Sequence, residues 1–117
     1  MTFDVGIDMV STERFSEYED ISNVFLNKIF TKKEIEYCFS KMNRSQALSG
    51  KYAAKEAVIK VLSNKGINIS HLRKIEIGNA SDGKPFIKSC PIKGIKNKIK
   101  LSISHESNFA IAVAVIN

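Results

Sequence analysis

Two carboxylates stand out in this sequence because their surroundings are apolar. Asp8 falls two residues after Gly6, near the end of an alternating run over residues 3–10. A carboxylate there is costly unless it is paired, solvated or metal-bound. It also suits the cap of the turn that follows a strand. Glu56 lies in a long helical pattern, four residues before Lys60, the favourable order for an i, i+4 ion pair. Together the two acids and the nearby lysines suit one chemistry: hard oxygen ligands for Mg²⁺ and ammonium groups for a phosphate. Lys51 and Lys55 equally suit a solvated face, because lysine stems cover apolar surface readily. Ser104-His105 closes a second alternating run, and His105 reads as a surface residue or a site residue. Gly83-Lys84-Pro85 reads first as turn chemistry, with a lysine that could face a ligand.

These residues must be positioned by the elements around them. Residues 3–10 alternate, with Phe3, Val5, Ile7 and Met9 on one face and Asp4, Gly6, Asp8 and Val10 on the other, which predicts a strand. Ser11 reads as the N-cap of a short helix over about 12–20, and a second short helix is expected over 22–29. Thr31-Lys32-Lys33-Glu34 fits a capping box, followed by Ile35, Cys38, Phe39 and Met42 at helical spacing. Residues 46–64 form the longest helical pattern, with Gly66 as its stop. Its polar groups fall into two stripes, Lys51 with Lys55 and Glu56 with Lys60, and the rest is almost wholly apolar, as in a buried helix.

The second half turns to strands. His71 to Ile77 has an alternating end, Asp82-Gly83 is a hairpin signal, and Pro85 opens the return strand. Lys100 to His105 and Asn108 to Ile116 alternate and should pair antiparallel, the second with an all-alanine face open to close approach by a helix or another subunit. One strand, then helices, then strands is an α+β pattern.

The chain has 117 residues, which suits one domain over 1–117. Hydrophobic residues make up 44% and charged residues 26%, ordinary for a soluble globular protein. A net charge of +6 favours acidic partners without choosing among them. Cys38 and Cys90 have neither zinc nor disulfide-framework spacing, so two reduced thiols in a cytosol are expected. No apolar run approaches a membrane span, and the first ten residues lack signal-peptide features. P-loop, dinucleotide-fold, zinc and nucleophile-elbow motifs are absent. Nothing beyond charge suggests nucleic acid, since the lysines are not interleaved with stacking aromatics.

The order of four short motifs is the most specific feature. GIDMVSTERF at 6–15, GKYAAKEAVIK at 50–60, GKP at 83–85 and SISH at 102–105 resemble the holo-acyl-carrier-protein synthases, the small 4'-phosphopantetheinyl transferases. The resemblance runs from Val5 to Ile116. It implies a long helix packed on an antiparallel sheet, in a cytoplasmic homotrimer with active sites between subunits. It implies transfer of 4'-phosphopantetheine from coenzyme A to a serine of apo acyl carrier protein, with Mg²⁺, for fatty acid biosynthesis. In that reading Asp8 and Glu56 hold the metal and Lys60 acts beside the transferred phosphate. Lys51, Lys55, Gly83, Lys84, Pro85, Ser104 and His105 fall in coenzyme-binding segments, with Lys84, Ser104 and His105 contributed from the adjoining subunit. Arg14, Phe25 and Lys28 fall where the carrier docks. Two departures accompany the match: Lys51 stands where arginine is usual, and the early helical stretch, often rich in arginine, carries Glu17, Glu19 and Asp20. A non-enzymatic module that binds a phosphorylated or acidic partner remains a rival, as does the same transferase serving a polyketide or peptide synthase carrier.

Overall fold

The alternating N-terminal run becomes strand β1, Asp4–Ser11, in the computed structural model, which describes residues 2–117. Three helices follow: α1 at Val24–Ile29, α2 at Lys32–Phe39 and α3 at Arg44–Ser63. The chain then forms β2, Glu76–Asn79, and β3, Pro85–Ser89, as a hairpin, and closes with β4, Ile99–His105, and β5, Phe109–Ile116. The last two strands join β1 in an antiparallel sheet of order β1-β5-β4, while β2 and β3 pair separately. The expected α+β architecture, a long helix on an antiparallel sheet, is what forms.

The helix caps are those the sequence announces. Thr31 Oγ1 accepts from the Glu34 amide at 3.3 Å, and Glu34 Oε1 accepts from the Thr31 amide at 2.8 Å, a complete capping box. Gly66 follows α3 with φ of 77°, and Gly83 sits at φ 91° in the β2–β3 turn, where its amide donates to Ala80 O at 2.8 Å.

Three expected elements come out shorter. The helix expected over 12–20 is a single 3₁₀ turn, Thr12–Phe15. Thr12 is tied to the β4–β5 turn by its hydroxyl on Ser107 O at 2.7 Å and its amide on Asn108 O at 2.9 Å. Farther on, Asp20 Oδ1 accepts from the amide and the hydroxyl of Ser22, a local turn that competes with helix. α2 ends at Phe39, where the Ser40 hydroxyl turns back to Tyr37 O at 2.6 Å; Met42 is therefore outside the helix and fully exposed. Only the end of the 71–77 run is strand, because Leu72–Lys74 forms a 3₁₀ turn.

Most of the core lies between α3 and one face of the three-stranded sheet. Ala53, Ala54 and Ala57 of α3 and Ala110, Ala112 and Ala114 of β5 are all fully buried there, with Val58, Val61 and Leu62. Small side chains on both sides permit a close approach. Gly6 marks its tightest point: a Cβ added there would stand 2.1 Å from Ala57 O and 2.8 Å from Val61 N. A second cluster of Phe15, Leu26, Phe30, Ile35, Cys38 and Leu48 fills the space under α1 and α2, and Tyr52 packs against both clusters. Burial pushes the Cys38 thiol up to about 12, and both cysteines are free thiols.

The other face of the sheet is uncovered. Val5 and Ile7 are each 52% exposed and Met9 62%, beside the half-buried Ile111, Val113 and Val115 paired with them.

Gly6→Ala should lower stability by at least about 2 kcal/mol, because the contact it closes is backbone and cannot step aside as a side chain could. Urea unfolding of the variant beside the wild type measures this.

Candidate active site

Asp8 and Glu56 approach each other because β1 lies against α3. Asp8 shares the helix-facing side of β1 with Gly6 and Val10. Glu56 and Lys60, one turn apart on α3, form the side of the helix that reaches the edge of this contact. Lys60 does not pair with Glu56. Its ammonium donates to Asp8 Oδ1 at 3.0 Å and to Ile7 O at 2.9 Å, so the i, i+4 pair gives way to a cross-element bridge. Among the described residues, the Glu56 carboxylate makes no hydrogen bond or ion pair. Partial burial raises its carboxyl above the ordinary value, the Asp8 charge raises it further, and Lys60 and Arg14 oppose both. The guanidinium of Arg14 lies 4.5 Å from the centre of the Tyr52 ring on the same side. Burial, and next the charge of Glu56, likewise raise the Tyr52 hydroxyl.

This is a pair of converging carboxylates, one without a partner, next to two exposed cations. Mg²⁺ is commonly held by one or two carboxylates, with water and substrate phosphate completing its shell. The donor set therefore fits Mg²⁺ bound together with a phosphorylated ligand. It does not make an all-protein cage, since no group of three or more ligating side chains gathers among the described residues.

A second feature is a cavity of about 470 Å³ between α2, α3 and the ends of β3 and β4. Of the residues expected to meet a coenzyme, Lys51, Gly83, Pro85 and His105 line it. Lys84 is exposed outside this lining, and Ser104 projects from β4 on the uncovered face of the sheet, opposite to His105.

The reading of Lys51 and Lys55 requires correction. Both are buried, at 3% and 0% exposure, so neither is a solvated face. Lys55 is not available to a ligand. Its ammonium is held by Glu34 Oε1 at 2.7 Å and by the carbonyls of Leu72 and Ile75, which occupies all three of its protons. Glu34 completes the network by accepting from the Ile77 amide at 2.7 Å. The sequence accounts for Glu34 fully as a capping residue, so its second role carries no local signal. Lys51 faces the cavity but donates to Ile77 O at 2.8 Å and Asn79 Oδ1 at 2.6 Å, with its ammonium 4.6 Å from the Tyr37 ring centre. Asn79 in turn donates to Gly83 O at 3.0 Å, so Lys51 supports the turn that walls the cavity. Burial lowers both lysines from their usual range. Tyr37 and Asn79 are lining residues that sequence reasoning missed; neither belongs to a recognisable motif.

The geometry can be set beside proteins already known. The profile of the 4'-phosphopantetheinyl transferase superfamily matches residues 4–114. The chain belongs to this superfamily. It is 47% identical to a holo-[acyl-carrier-protein] synthase of Thermodesulfovibrio yellowstonii over 96% of each chain, and 39% identical to one of Halothermothrix orenii over 95% of this chain and 94% of that one. Among solved structures, the Helicobacter pylori holo-[acyl-carrier-protein] synthase in complex with coenzyme A superposes with a TM-score of 0.75 at 29% identity, over 97% of this chain and 99% of that one. The Bacillus anthracis synthase, in complex with CoA (3',5'-ADP), gives 0.74 at 28% identity, over 97% and 94%.

The raised Glu56 carboxyl has a consequence for this transferase. The unfolded chain loses that proton at a lower pH than the folded one. Between the two values the folded state binds more protons, so stability falls as pH rises through and just above the ordinary carboxylate range. Glu56→Gln should therefore melt with the metal-free wild type in acid and above it at neutral pH. Added Mg²⁺ should raise the melting temperature of the wild type and leave the variant unmoved.

Proposed function

We propose that this chain transfers 4'-phosphopantetheine from coenzyme A to a serine of an apo acyl carrier protein, releasing adenosine 3',5'-bisphosphate. The observation that carries the reading is the convergence of Asp8, Glu56 and Lys60 at one edge of the α3–β1 contact in a chain of this superfamily. The holo-[acyl-carrier-protein] synthases to which it is similar nearly end to end support the acceptor, and the coenzyme complexes of its structural neighbours support the donor.

In this reading Asp8 and Glu56 hold Mg²⁺. The ion, when bound, neutralises charge on the coenzyme diphosphate. Lys60, exposed and tethered through Asp8, places a second positive charge beside the phosphate under attack. Phosphoryl transfer relies on positioning and charge neutralisation more than on covalent help from the protein. The carrier serine gives its hydroxyl proton to the unpaired Glu56 carboxylate, its oxygen bonds to the phosphorus that bears pantetheine, and the bond from that phosphorus to the bisphosphate oxygen breaks, the bisphosphate leaving as the anion. His105, Gly83 and Pro85 shape the cavity for the nucleotide portion, with Lys51 bracing its wall. Lys84 and Ser104 reach the coenzyme of a neighbouring copy. Arg14, Phe25 and Lys28 meet the carrier.

The uncovered sheet face supports a homotrimer. A stripe of Val5, Ile7 and Met9 beside Ile111, Val113 and Val115 is an apolar surface of the kind that subunits cover. Ser104 lies on the same face, which in this reading sets it at a subunit boundary. The protein is proposed to act as one domain in the cytoplasm, in fatty acid biosynthesis. Both cysteines are free, and among the described residues no helix is long and apolar enough to cross a membrane.

Incubation with coenzyme A, Mg²⁺ and an apo carrier should add the phosphopantetheine mass to the carrier. Asp8→Ala and Lys60→Ala should each slow the reaction by about 10²-fold or more, as loss of a principal charge partner does. No added mass on any carrier would end the proposal. Ile7→Lys, on the apolar stripe, should turn a trimer into monomers in light scattering and lower activity with it.

A further inference from the structure

Among the described residues, the Asp8 carboxylate has one partner, the Lys60 ammonium at 3.0 Å. The Asp8 side chain is only 16% exposed, so its charge needs compensation, and Lys60 supplies it. Lys60 is the half-exposed member of the pair, on a flexible stem that can swing without repacking the core. Glu56, the other acid of the site, holds no partner among the described residues. An ammonium thus lies against one of the two acids that suit Mg²⁺, where it competes for the oxygen a cation would use.

The second bond of Lys60 does not depend on Asp8. Its ammonium also donates to Ile7 O at 2.9 Å. β1 is an outer strand of the three-stranded sheet, and carbonyls two residues apart on a strand point to the same edge. One turn beyond Lys60, Asn64 Nδ2 donates to Val5 O at 3.3 Å, and Lys65 pairs with Asp4 at 3.1 Å. The end of α3 and the turn after it therefore lay three side chains along β1. Gly6, between the two accepting carbonyls, packs against the backbone of Ala57 and Val61, so those acceptors keep a fixed distance from the helix. An ammonium has three protons, so Lys60 can exchange Asp8 for another anion while Ile7 O retains it.

We propose that Lys60 is a resident counter-charge for Asp8 that a divalent cation displaces, and that displacement turns its ammonium, still held by Ile7 O, from the carboxylate to the coenzyme phosphate. The proposal rests on the transferase reading with its metal-holding acids and adds a coupling between the positive charges of that site. While no metal is bound, Lys60 neutralises the acid it touches. Once Asp8 ligates the ion, the same ammonium is released to the substrate. Lys60 therefore contributes to coenzyme affinity only after the metal has bound.

The test titrates Mg²⁺ alone into the metal-free full-length protein by calorimetry, and then coenzyme A with and without Mg²⁺. Lys60→Met keeps the length of the stem and removes the ammonium. Arg14→Met is the comparison, because Arg14 also acts on the charge of Glu56 yet forms no ion pair among the described residues. Lys60→Met should bind Mg²⁺ about fivefold more tightly than the wild type, and Arg14→Met within about twofold of it, since only the first removes a competitor from Asp8. Without Mg²⁺, Lys60→Met should bind coenzyme A within about twofold of the wild type, and with Mg²⁺ about tenfold more weakly. Equal gains in Mg²⁺ affinity in the two variants would reduce the effect to net charge and overturn the proposal. So would a loss of coenzyme affinity in Lys60→Met that is the same with and without Mg²⁺. These titrations stand apart from catalysis, so failure of the wild type to modify any carrier would defeat the transferase reading alone, and the two failures are distinguishable.

Discussion

The contact between β1 and α3 is the constraint on which the rest depends. Gly6 faces the helix backbone so closely that no side chain fits, and the alanines of β5 and α3 keep neighbouring positions just as near. Interiors pack at crystal-like density, so such a contact has little room to slide. Asp8 is two residues from Gly6 on the same side of the strand. Its distance from Glu56 and Lys60 is therefore set by backbone packing and not by flexible side chains.

That rigidity makes the electrostatics meaningful. Lys60 could satisfy Glu56 on its own helix, yet it bridges to Asp8 and the Ile7 carbonyl. Glu56 remains partly buried, beside a like charge and without a partner. A cation bound there would relieve that repulsion. The buried Lys55–Glu34 pair shows the contrary case. Its charges are fully satisfied by each other, by three carbonyl or amide partners and by the capping amide, and they join α2, α3 and the turn before β2. Two lysines on one helix thus differ: Lys55 is locked into the scaffold, and Lys60 stays exposed beside the carboxylates.

The sheet packs one face on α3 and leaves the other, equally apolar, uncovered. The cavity between α2, α3 and β4 is walled by a glycine turn that Lys51 and Asn79 brace, whereas Ser104 projects from the far side of the same strand as His105. A strand places successive side chains on opposite faces, so one short motif serves two surfaces.

The sequence by itself determined the α+β order of elements, the capping box at Thr31 and Glu34, the hairpin at Gly83 and the pairing of the last two strands, because these follow from local hydrogen bonding and from the period of apolar residues. It also carried the motifs that place the chain in its superfamily. Only the tertiary structure decided what each charge does. Lys51 and Lys55 read as solvated or ligand-facing until the approach of β2 and α2 buried them. Lys60 reads as the partner of Glu56 until β1 brought Asp8 nearer. The helix expected over 12–20 yields to bonds from Thr12 to residues almost a hundred positions away. A charged side chain's role depends on which groups surround it in space, and those groups come from distant parts of the chain that periodicity does not relate.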